Sequence, residues 1–298
     1  MPSLISNVLR SQLRIIRPLL GKGGIIASRN IQEKLGELGA KVNAGSIDYE
    51  PEPFALFEAA WAKPKSFKRG KGRVILYLHG GGYVAGDINY AKGFGGIIAV
   101  ETCCRVLCVA YRLAPEHPYP AALEDALTSY RFLLDSGYKS KDIALCGESA
   151  GGGLIYALLL KLMQYGLPLP YAMVGISPWV DQALTGASYT GNQKKDPSLY
   201  YEMIECYVKM YGAKDVYDPF VSPLYGNFYG APPSLLFAGS DELLLDDAVA
   251  LDKKLKSQQC PSFLHVEDGM WHGYVLFGVP EAQEALSRMA IFLEEVHQ

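Results

Sequence analysis

The chain has 298 residues, 49% of them hydrophobic and 20% charged, which is typical of a globular protein that buries a substantial core. Its net charge of −3 gives no reason to expect a nucleic-acid partner, and no Lys/Arg cluster suggests a binding stripe. The six cysteines form no CxxC pair and no regular spacing, so the sequence predicts reduced thiols in a cytoplasmic protein rather than a disulfide framework or a zinc site.

No apolar run reaches the ~18 residues of a membrane helix, because Lys161 interrupts the longest one. The N-terminus lacks the continuous apolar core and the small-residue cleavage site of a secretion signal. The sequence therefore predicts neither a membrane span nor secretion.

The first predicted helix, at 3–20, has a basic face opposite an apolar face, and residues 1–22 contain no acid. The basic face carries Arg10, Arg14 and Arg17, and the apolar face carries Leu9, Leu13, Ile16 and Leu20. We expect an amphipathic helix docked on its own protein. An organelle presequence or a helix on a membrane surface is the alternative.

A second helix is predicted at 30–39, after Gly21-Lys22-Gly23-Gly24, and extended segments follow near 46–50 and 54–62. The run 73–78 is apolar and rich in β-forming residues, as in a buried strand. From there, strands and helices alternate along the chain. Further strands are predicted at 105–110, 142–147, 172–177, 234–239 and 262–266, and helices at 120–136, 150–165, 246–258 and 281–297.

This alternation predicts an α/β fold in which a mostly parallel central sheet carries helices on both faces. The functional site of such a sheet lies beyond the carboxyl ends of its strands. We expect a catalytic domain over 46–298, preceded by cap helices within 1–45. The tyrosine-rich segment at about 182–230 interrupts the alternation and is predicted to be a cap insertion. Surface packing without function is the alternative for that segment.

Ser149 lies in Gly147-Glu148-Ser149-Ala150-Gly151, between a predicted strand and a predicted helix. A serine nucleophile on a sharp strand-to-helix turn needs this context, and the strained turn requires small residues two positions away. The pattern alone is weak evidence, since G-x-S-x-G should arise by chance roughly 0.2 times in such a chain.

His79-Gly80-Gly81-Gly82 directly follows the strand at 73–78, and such a tetrad should arise by chance only about 0.006 times per chain. Its glycines let backbone N–H groups approach a substrate oxygen and stabilise the negative charge that develops there. A phosphate-binding loop is the rival interpretation, but the chain lacks both G-x-x-x-x-G-K-[ST] and G-x-G-x-x-G.

A serine nucleophile needs a base to take its proton, and His272 is the best of the five histidines. It lies in a loop after the last predicted strand and gives the order Ser, acid, His that α/β-hydrolases share. The other four lie in the glycine loop, between two prolines, within a strand and next to the C-terminus. A purely structural role is the alternative for His272.

The acid that orients this imidazole is expected between Ser149 and His272. Asp241 follows the strand at 234–239 and is therefore the first choice. Asp181 also follows a strand and is the second choice. Asp268 ranks third because it is too close to His272 in sequence for the usual spacing between acid and base.

With these residues the chain resembles the hormone-sensitive-lipase-like family of α/β-hydrolase esterases, from about residue 74 to the end. The matching segments are His79-Gly80-Gly81-Gly82-Tyr83, Tyr111-Arg112-Leu113-Ala114-Pro115-Glu116-His117-Pro118, 147–152, Ser177-Pro178-Trp179, Asp241-Glu242-Leu243 and His272. The family often has aspartate before the nucleophile, where this chain has Glu148.

The resemblance implies the α/β-hydrolase fold with a helical cap, formed in part by the N-terminal helices. It implies Ser149 as nucleophile, His272 as base and Asp241 as acid. It also implies an oxyanion hole formed by the N–H groups of Gly81, Gly82 and Ala150.

We therefore expect a serine carboxylesterase that acts on small, short-acyl esters and uses neither a metal nor a cofactor. Tyr83, Trp179 and Tyr189 are the candidates for lining the substrate pocket, although each could equally belong to the core or the surface. An amide or formamide deacylase and, from another class, a non-catalytic ligand receptor are the alternatives. A homodimer is left open. Activity is expected to fall as the pH drops through the His272 pKa, near ~6.5 for an ordinary imidazole.

Overall fold

The computed structural model describes residues 2–22, 24–65 and 72–297. Within these residues the helices are α1 Leu4–Lys22, α2 Gly24–Asn43, α3 Ile88–Thr102, α4 Ala121–Asp135, α5 Ser149–Gln164, α6 Ser188–Gly191, α7 Tyr201–Tyr211, α8 Leu245–Ser257 and α9 Pro280–Glu295. The strands are β1 Ile47–Pro53, β2 Glu58–Pro64, β3 Val74–Leu78, β4 Arg105–Ala110, β5 Ile143–Glu148, β6 Ala172–Ile176, β7 Ser234–Gly239 and β8 Ser262–Glu267.

The strands of the described residues form one sheet in the order β1-β2-β4-β3-β5-β6-β7-β8. β2 pairs antiparallel with both β1 and β4, and every pair from β4 to β8 is parallel. The expected α/β fold with a mostly parallel sheet is confirmed. Because the carboxyl ends of the parallel strands share one edge, the loops after β3, β5, β7 and β8 meet there.

The central strands are apolar on both faces because helices cover both sides of the sheet. In β3, Val74, Leu76 and Leu78 belong to one buried cluster, and Ile75 and Tyr77 belong to the other. Residues of α4, α5 and α8 lie in the first cluster, and residues of α3 and α9 lie in the second. The sheet is thus a buried central layer that holds the strand-end loops in fixed positions.

α3 is absent from the sequence-based expectations, and its glycines account for this omission. Gly93, Gly95 and Gly96 lower the intrinsic helix propensity of the segment. In the folded protein, however, Asp87 caps the helix by accepting a hydrogen bond from the Tyr90 N–H at 2.8 Å. Tertiary packing therefore decides the conformation of this segment.

The N-terminal segment is more helical than predicted, since α2 begins at Gly24 rather than at residue 30. Within the predicted cap insertion, α6 and α7 are the helices that the structure describes. None of the helices in the described ranges has the length and apolar character needed to cross a membrane.

Candidate active site

Ser149 stands at the junction of β5 and α5, where the chain turns sharply from strand to helix. Its φ of 52° lies in the left-handed region, which a residue other than glycine adopts only at a cost of about 1–3 kcal/mol. The turn places the serine at the carboxyl edge of the sheet. The expected strand–turn–helix context of the serine is therefore present.

The glycines around Ser149 are required by close backbone contacts. A Cβ on Gly147 would lie 2.3 Å from the Gly151 carbonyl oxygen, and a Cβ on Gly151 would lie 2.0 Å from the Leu78 carbonyl oxygen. Both distances are far below normal van der Waals contact. The small residues thus allow α5 to start directly against the end of β3.

The glycine loop after β3 runs beside the serine turn. Gly81 and Gly82 have φ values of 108° and 64°, in the region that favours glycine. A Cβ on Gly82 would lie 2.2 Å from the Tyr207 ring of α7, so a larger residue here would displace that helix. Ala150 lies in the first turn of α5, where the backbone N–H has no acceptor within the helix.

Ser149, His272, Gly81 and Gly82 all line one cavity of about 330 Å³. The cavity is roofed by apolar side chains from α1, α2 and α7. These side chains are Leu9, Leu13, Ile31, Met203 and Ile204. The structure therefore brings the predicted nucleophile, base and glycine loop together beneath the N-terminal helices and α7.

His272 follows β8 and faces this cavity, but its Nδ1 is buried and has no hydrogen-bond partner among the described residues. Burial lowers the pKa of His272 to about 3 because the imidazolium form loses its hydration. The imidazole is therefore neutral over the physiological pH range, which is the form that a general base requires.

Asp241 follows β7 and is held next to the His272 loop, since its N–H donates to the Met270 carbonyl oxygen at 3.0 Å. Its carboxylate, however, pairs with the Arg10 guanidinium of α1. The Ser240 hydroxyl also donates to it, at 3.4 Å. The predicted acid is thus adjacent to the predicted base in the fold, but in this structure it binds an arginine from the N-terminal helix.

The second-choice acid, Asp181, is occupied by its own turn. Its Oδ2 accepts from the Thr185 N–H at 2.9 Å and from the Thr185 hydroxyl at 2.5 Å. Its Oδ1 accepts from the Tyr225 hydroxyl at 3.0 Å. Both carboxylate oxygens of Asp181 therefore stabilise the turn after β6.

A buried polar network that sequence reasoning missed joins the loops after β6, β7 and β8. The Ser177 hydroxyl donates to Glu242 Oε2 at 2.7 Å and accepts from the Gly273 N–H at 2.9 Å. Glu242 Oε2 also accepts from the Gly239 N–H at 3.0 Å. Burial raises the pKa of Glu242 to about 8. This network fixes the positions of Asp241 and His272 through their chain neighbours.

The insertion between β6 and β7 also holds the acid-bearing turn. The Asn192 amide donates to the Ser240 and Glu242 carbonyl oxygens at 3.1 and 2.9 Å. Asp196 Oδ2 accepts from the Leu243 N–H at 3.0 Å. Asparagine and aspartate in a loop gave no sequence signal for this role, because it depends on contacts about 50 residues apart.

Of the three predicted lining residues, Trp179 lines the cavity and the two tyrosines do not. Tyr83 is 2% exposed and its ring stacks on Tyr211 with a centroid distance of 4.1 Å. Tyr189 is fully buried, and its hydroxyl donates to the Asp181 carbonyl oxygen at 3.2 Å. The assignment of Tyr83 and Tyr189 to the substrate pocket is corrected accordingly, since both face the protein core.

A larger cavity of about 460 Å³ lies along β1, β2 and the start of α3 and contains none of the predicted site residues. Within the described ranges, no cluster of three or more His, Cys, Asp or Glu side chains could hold a metal ion.

Comparison with known proteins places this arrangement in a family. A family model described as alpha/beta hydrolase fold matches residues 75–276. The chain belongs to this family. It lies in the hormone-sensitive-lipase-like branch of ester hydrolases, as the following relatives show.

An esterase of Acinetobacter venetianus is 37% identical over 224 residues, which cover 74% of this chain and 74% of the relative. An acetyl-hydrolase of Streptomyces hygroscopicus is 38% identical over 276 residues, which cover 90% of this chain and 88% of the relative. The crystal structure of an esterase from the bacterial hormone-sensitive lipase family superposes with a TM-score of 0.90 at 36% identity, covering 100% of both chains.

Proposed function

We propose that this hydrolase is a serine carboxylesterase for short-acyl esters, with Ser149 as nucleophile, His272 as base and Asp241 as orienting acid. The observation that carries the proposal is the shared cavity of Ser149, His272 and the glycine loop. The esterases and the acetyl-hydrolase among the relatives support the same reaction class.

In the proposed first step, His272 takes the proton of the Ser149 hydroxyl as the serine oxygen attacks the ester carbonyl carbon. The tetrahedral intermediate collapses, its bond to the leaving oxygen breaks, and His272 donates the proton to the departing alcohol. Water then attacks the acyl-enzyme in the same manner, releases the acid and restores Ser149. For Asp241 to orient the imidazole, its carboxylate must accept from His272 Nδ1, which has no hydrogen-bond partner among the described residues.

The negative charge on the carbonyl oxygen is proposed to be stabilised by the N–H groups of Gly81, Gly82 and Ala150. Gly81 and Gly82 have backbone angles that only glycine adopts easily, and no side chain of theirs obstructs a substrate. The Ala150 N–H lies in the first turn of α5, where backbone donors have no acceptor within the helix and the helix dipole also favours negative charge.

The preference for short acyl chains follows from the enclosure of the cavity. Its roof is formed by Leu9 and Leu13 of α1 and by Met203 and Ile204 of α7. We propose that α1, α2 and the insertion between β6 and β7 together act as the cap. A substrate series from acetate to palmitate esters should give a maximum of kcat/KM at or below about ten carbons, and a maximum at palmitate would exclude this cap arrangement.

The direct test is the Ser149→Ala variant with p-nitrophenyl acetate. Loss of the nucleophile should reduce kcat by at least about 10⁴-fold, because the remaining groups cannot form an acyl-enzyme. Ser287→Ala, an exposed serine on α9, is the matched control and should keep wild-type turnover. Wild-type turnover in Ser149→Ala would exclude the mechanism.

The same groups could hydrolyse an amide or a formamide, and matched ester and amide substrates separate the two reactions. We expect the ester to be cleaved with the higher kcat/KM, as the names of the relatives support. We also propose a reducing, cytoplasmic location, which the six cysteines support because none of them forms a disulfide in the described part of the chain.

A further inference from the structure

Glu148 precedes the proposed nucleophile, is 3% exposed and has no step in the proposed reaction. Its Oε1 accepts hydrogen bonds from the Gly80 N–H at 2.9 Å and the Tyr90 hydroxyl at 2.7 Å. Its Oε2 accepts from the Tyr77 hydroxyl at 2.6 Å. Three donors, one from β3, one from the loop after β3 and one from α3, therefore hold this carboxylate in one place.

The ionised carboxylate is the form that satisfies all three donors. The Gly80 N–H can only donate, and burial raises the pKa of both tyrosine hydroxyls, so they remain protonated and donate as well. Burial also raises the pKa of Glu148, while hydrogen bonds from Tyr77, Tyr90 and Gly80 act in the opposite direction. The two carboxylate oxygens of Glu148 thus accept all three hydrogen bonds that Tyr77, Tyr90 and Gly80 donate.

The Gly80 N–H belongs to the peptide group between His79 and Gly80, and this group is held from both sides. Glu148 accepts from its N–H, and the Tyr111 hydroxyl donates to its carbonyl oxygen, on His79, at 2.7 Å. A Cβ on Gly80 would lie 2.7 Å from Glu148 Oε1, so the carboxylate packs directly against the loop backbone. The orientation of this peptide plane is therefore fixed.

The next peptide group carries the Gly81 N–H, one of the proposed oxyanion donors. Its carbonyl oxygen, on Gly80, lies 2.6 Å from His79 Nδ1. A carbonyl oxygen can only accept, so Nδ1 carries the proton and donates. His79 is itself fixed by stacking on Tyr111 with a ring distance of 4.3 Å. A continuous set of contacts thus leads from Glu148 to the Gly81 N–H.

We propose that Glu148 is a positioning residue of the esterase reaction, which aims the Gly81 N–H group at the developing oxyanion. The inference rests on the proposed function, since it needs an oxyanion at this loop. Donors fixed before the reaction stabilise the transition state more than the bound substrate. Loss of the positioning contact should therefore lower kcat and leave KM nearly unchanged.

The test compares Glu148→Met with Glu148→Gln. Methionine removes every acceptor and should lower kcat by about 10- to 100-fold, less than or equal to the loss of one oxyanion donor. Glutamine keeps an oxygen for the Gly80 N–H and should retain kcat within about threefold of wild type. Equal kcat for Glu148→Met and wild type, or equal losses in both variants, would overturn the proposal.

Inhibitor binding distinguishes positioning of the loop from general damage. A trifluoromethyl ketone forms a tetrahedral adduct with the serine and places an oxyanion in the hole, whereas the corresponding alcohol does not. In Glu148→Met the Ki of the ketone should rise by the same factor by which kcat falls. The Ki of the alcohol should stay within about threefold of wild type. Equal weakening of both inhibitors would show a structural role only.

Two conservative variants keep the proposal testable if Glu148→Met does not fold. Tyr111→Phe removes the other hydrogen bond to the His79–Gly80 peptide and should lower kcat by about three- to tenfold at unchanged KM. Tyr130→Phe also removes a tyrosine hydrogen bond to a backbone carbonyl oxygen, that of Pro168 at 2.7 Å instead of one in the glycine loop, and should keep wild-type kcat. Equal kcat in these two variants would overturn the proposal.

The Ser149 and Glu148 variants test the serine mechanism and the positioning role separately. If Ser149→Ala retains turnover, the serine mechanism fails, whatever the Glu148 variants do. If Ser149→Ala is inactive and Glu148→Met keeps wild-type kcat and ketone affinity, the serine mechanism holds and the positioning role is excluded.

Discussion

At the scale of single residues, the pH dependence of the proposed reaction follows from the environment of His272, its proposed base. Burial lowers the pKa of His272 to about 3, so the neutral base persists well below the pH at which an ordinary imidazole takes up a proton. The acid limb of kcat/KM should therefore lie at least about one pH unit below 6.5. This differs from the expectation for an unperturbed histidine.

A profile of kcat/KM between pH 4 and pH 8 measures this limb, and circular dichroism at each pH is the control for unfolding. An acid limb at or above pH 6.5 in the folded protein would contradict the effect of burial on His272.

In the proposed mechanism, Arg10 and His272 compete for the carboxylate of Asp241. The guanidinium of α1 pairs with that carboxylate, while His272 Nδ1 has no partner among the described residues. Removing the arginine charge should free Asp241 to orient the imidazole. We predict that Arg10→Met raises kcat by roughly two- to fivefold, because an oriented imidazole is the better base.

Arg14→Met is the matched control, since Arg14 is an exposed arginine of the same helix. It should leave kcat unchanged. A lower kcat in Arg10→Met would mean that Arg10 supports the acid rather than competing for it.

At the scale of secondary-structure elements, α2 and α3 approach each other through glycines. A Cβ on Gly93 would lie 2.5 Å from the Gly36 carbonyl oxygen, and a Cβ on Gly36 would lie 2.3 Å from the Tyr90 backbone. This contact matters for the site because α2 contributes Ile31 to the cavity.

Gly93→Ala should therefore destabilise the protein. Alanine gains up to about 1 kcal/mol in helix propensity, but separating two packed helices costs about 1–3 kcal/mol or more, so the steric cost should exceed the gain. Urea unfolding measures the difference. Gly45→Ala, where a Cβ meets no atom within 4 Å, is the control and should leave the free energy of unfolding nearly unchanged. A more stable Gly93→Ala would contradict this packing.

At the scale of the whole molecule, the sheet and most of its helices follow from sequence pattern. The strands predicted at 105–110 and 234–239 coincide with β4 and β7, because apolar runs bounded by turns identify buried parallel strands. α3 could not be predicted in this way. Its glycines are unfavourable locally and are explained by tertiary contacts: Gly93 lies against α2, Gly95 against Cys108 of β4 and Gly96 against Tyr49 of β1.

The candidate site also has parts that the sequence predicts and parts that it does not. Motif and strand-end position predicted Ser149, His272 and the glycine loop, which line one cavity. They did not predict which way a side chain turns, so Tyr83 and Tyr189 were assigned to the pocket although they face the core. The pairing of Arg10 with Asp241, 231 residues apart, has no local signal at all.

Covalent labelling with a fluorophosphonate followed by mass spectrometry tests most directly whether Ser149 is the nucleophile of this esterase. We expect one adduct per chain, located on Ser149, with activity lost in proportion to labelling. Full activity in the labelled protein, or an adduct on a different residue that accounts for the inactivation, would contradict it.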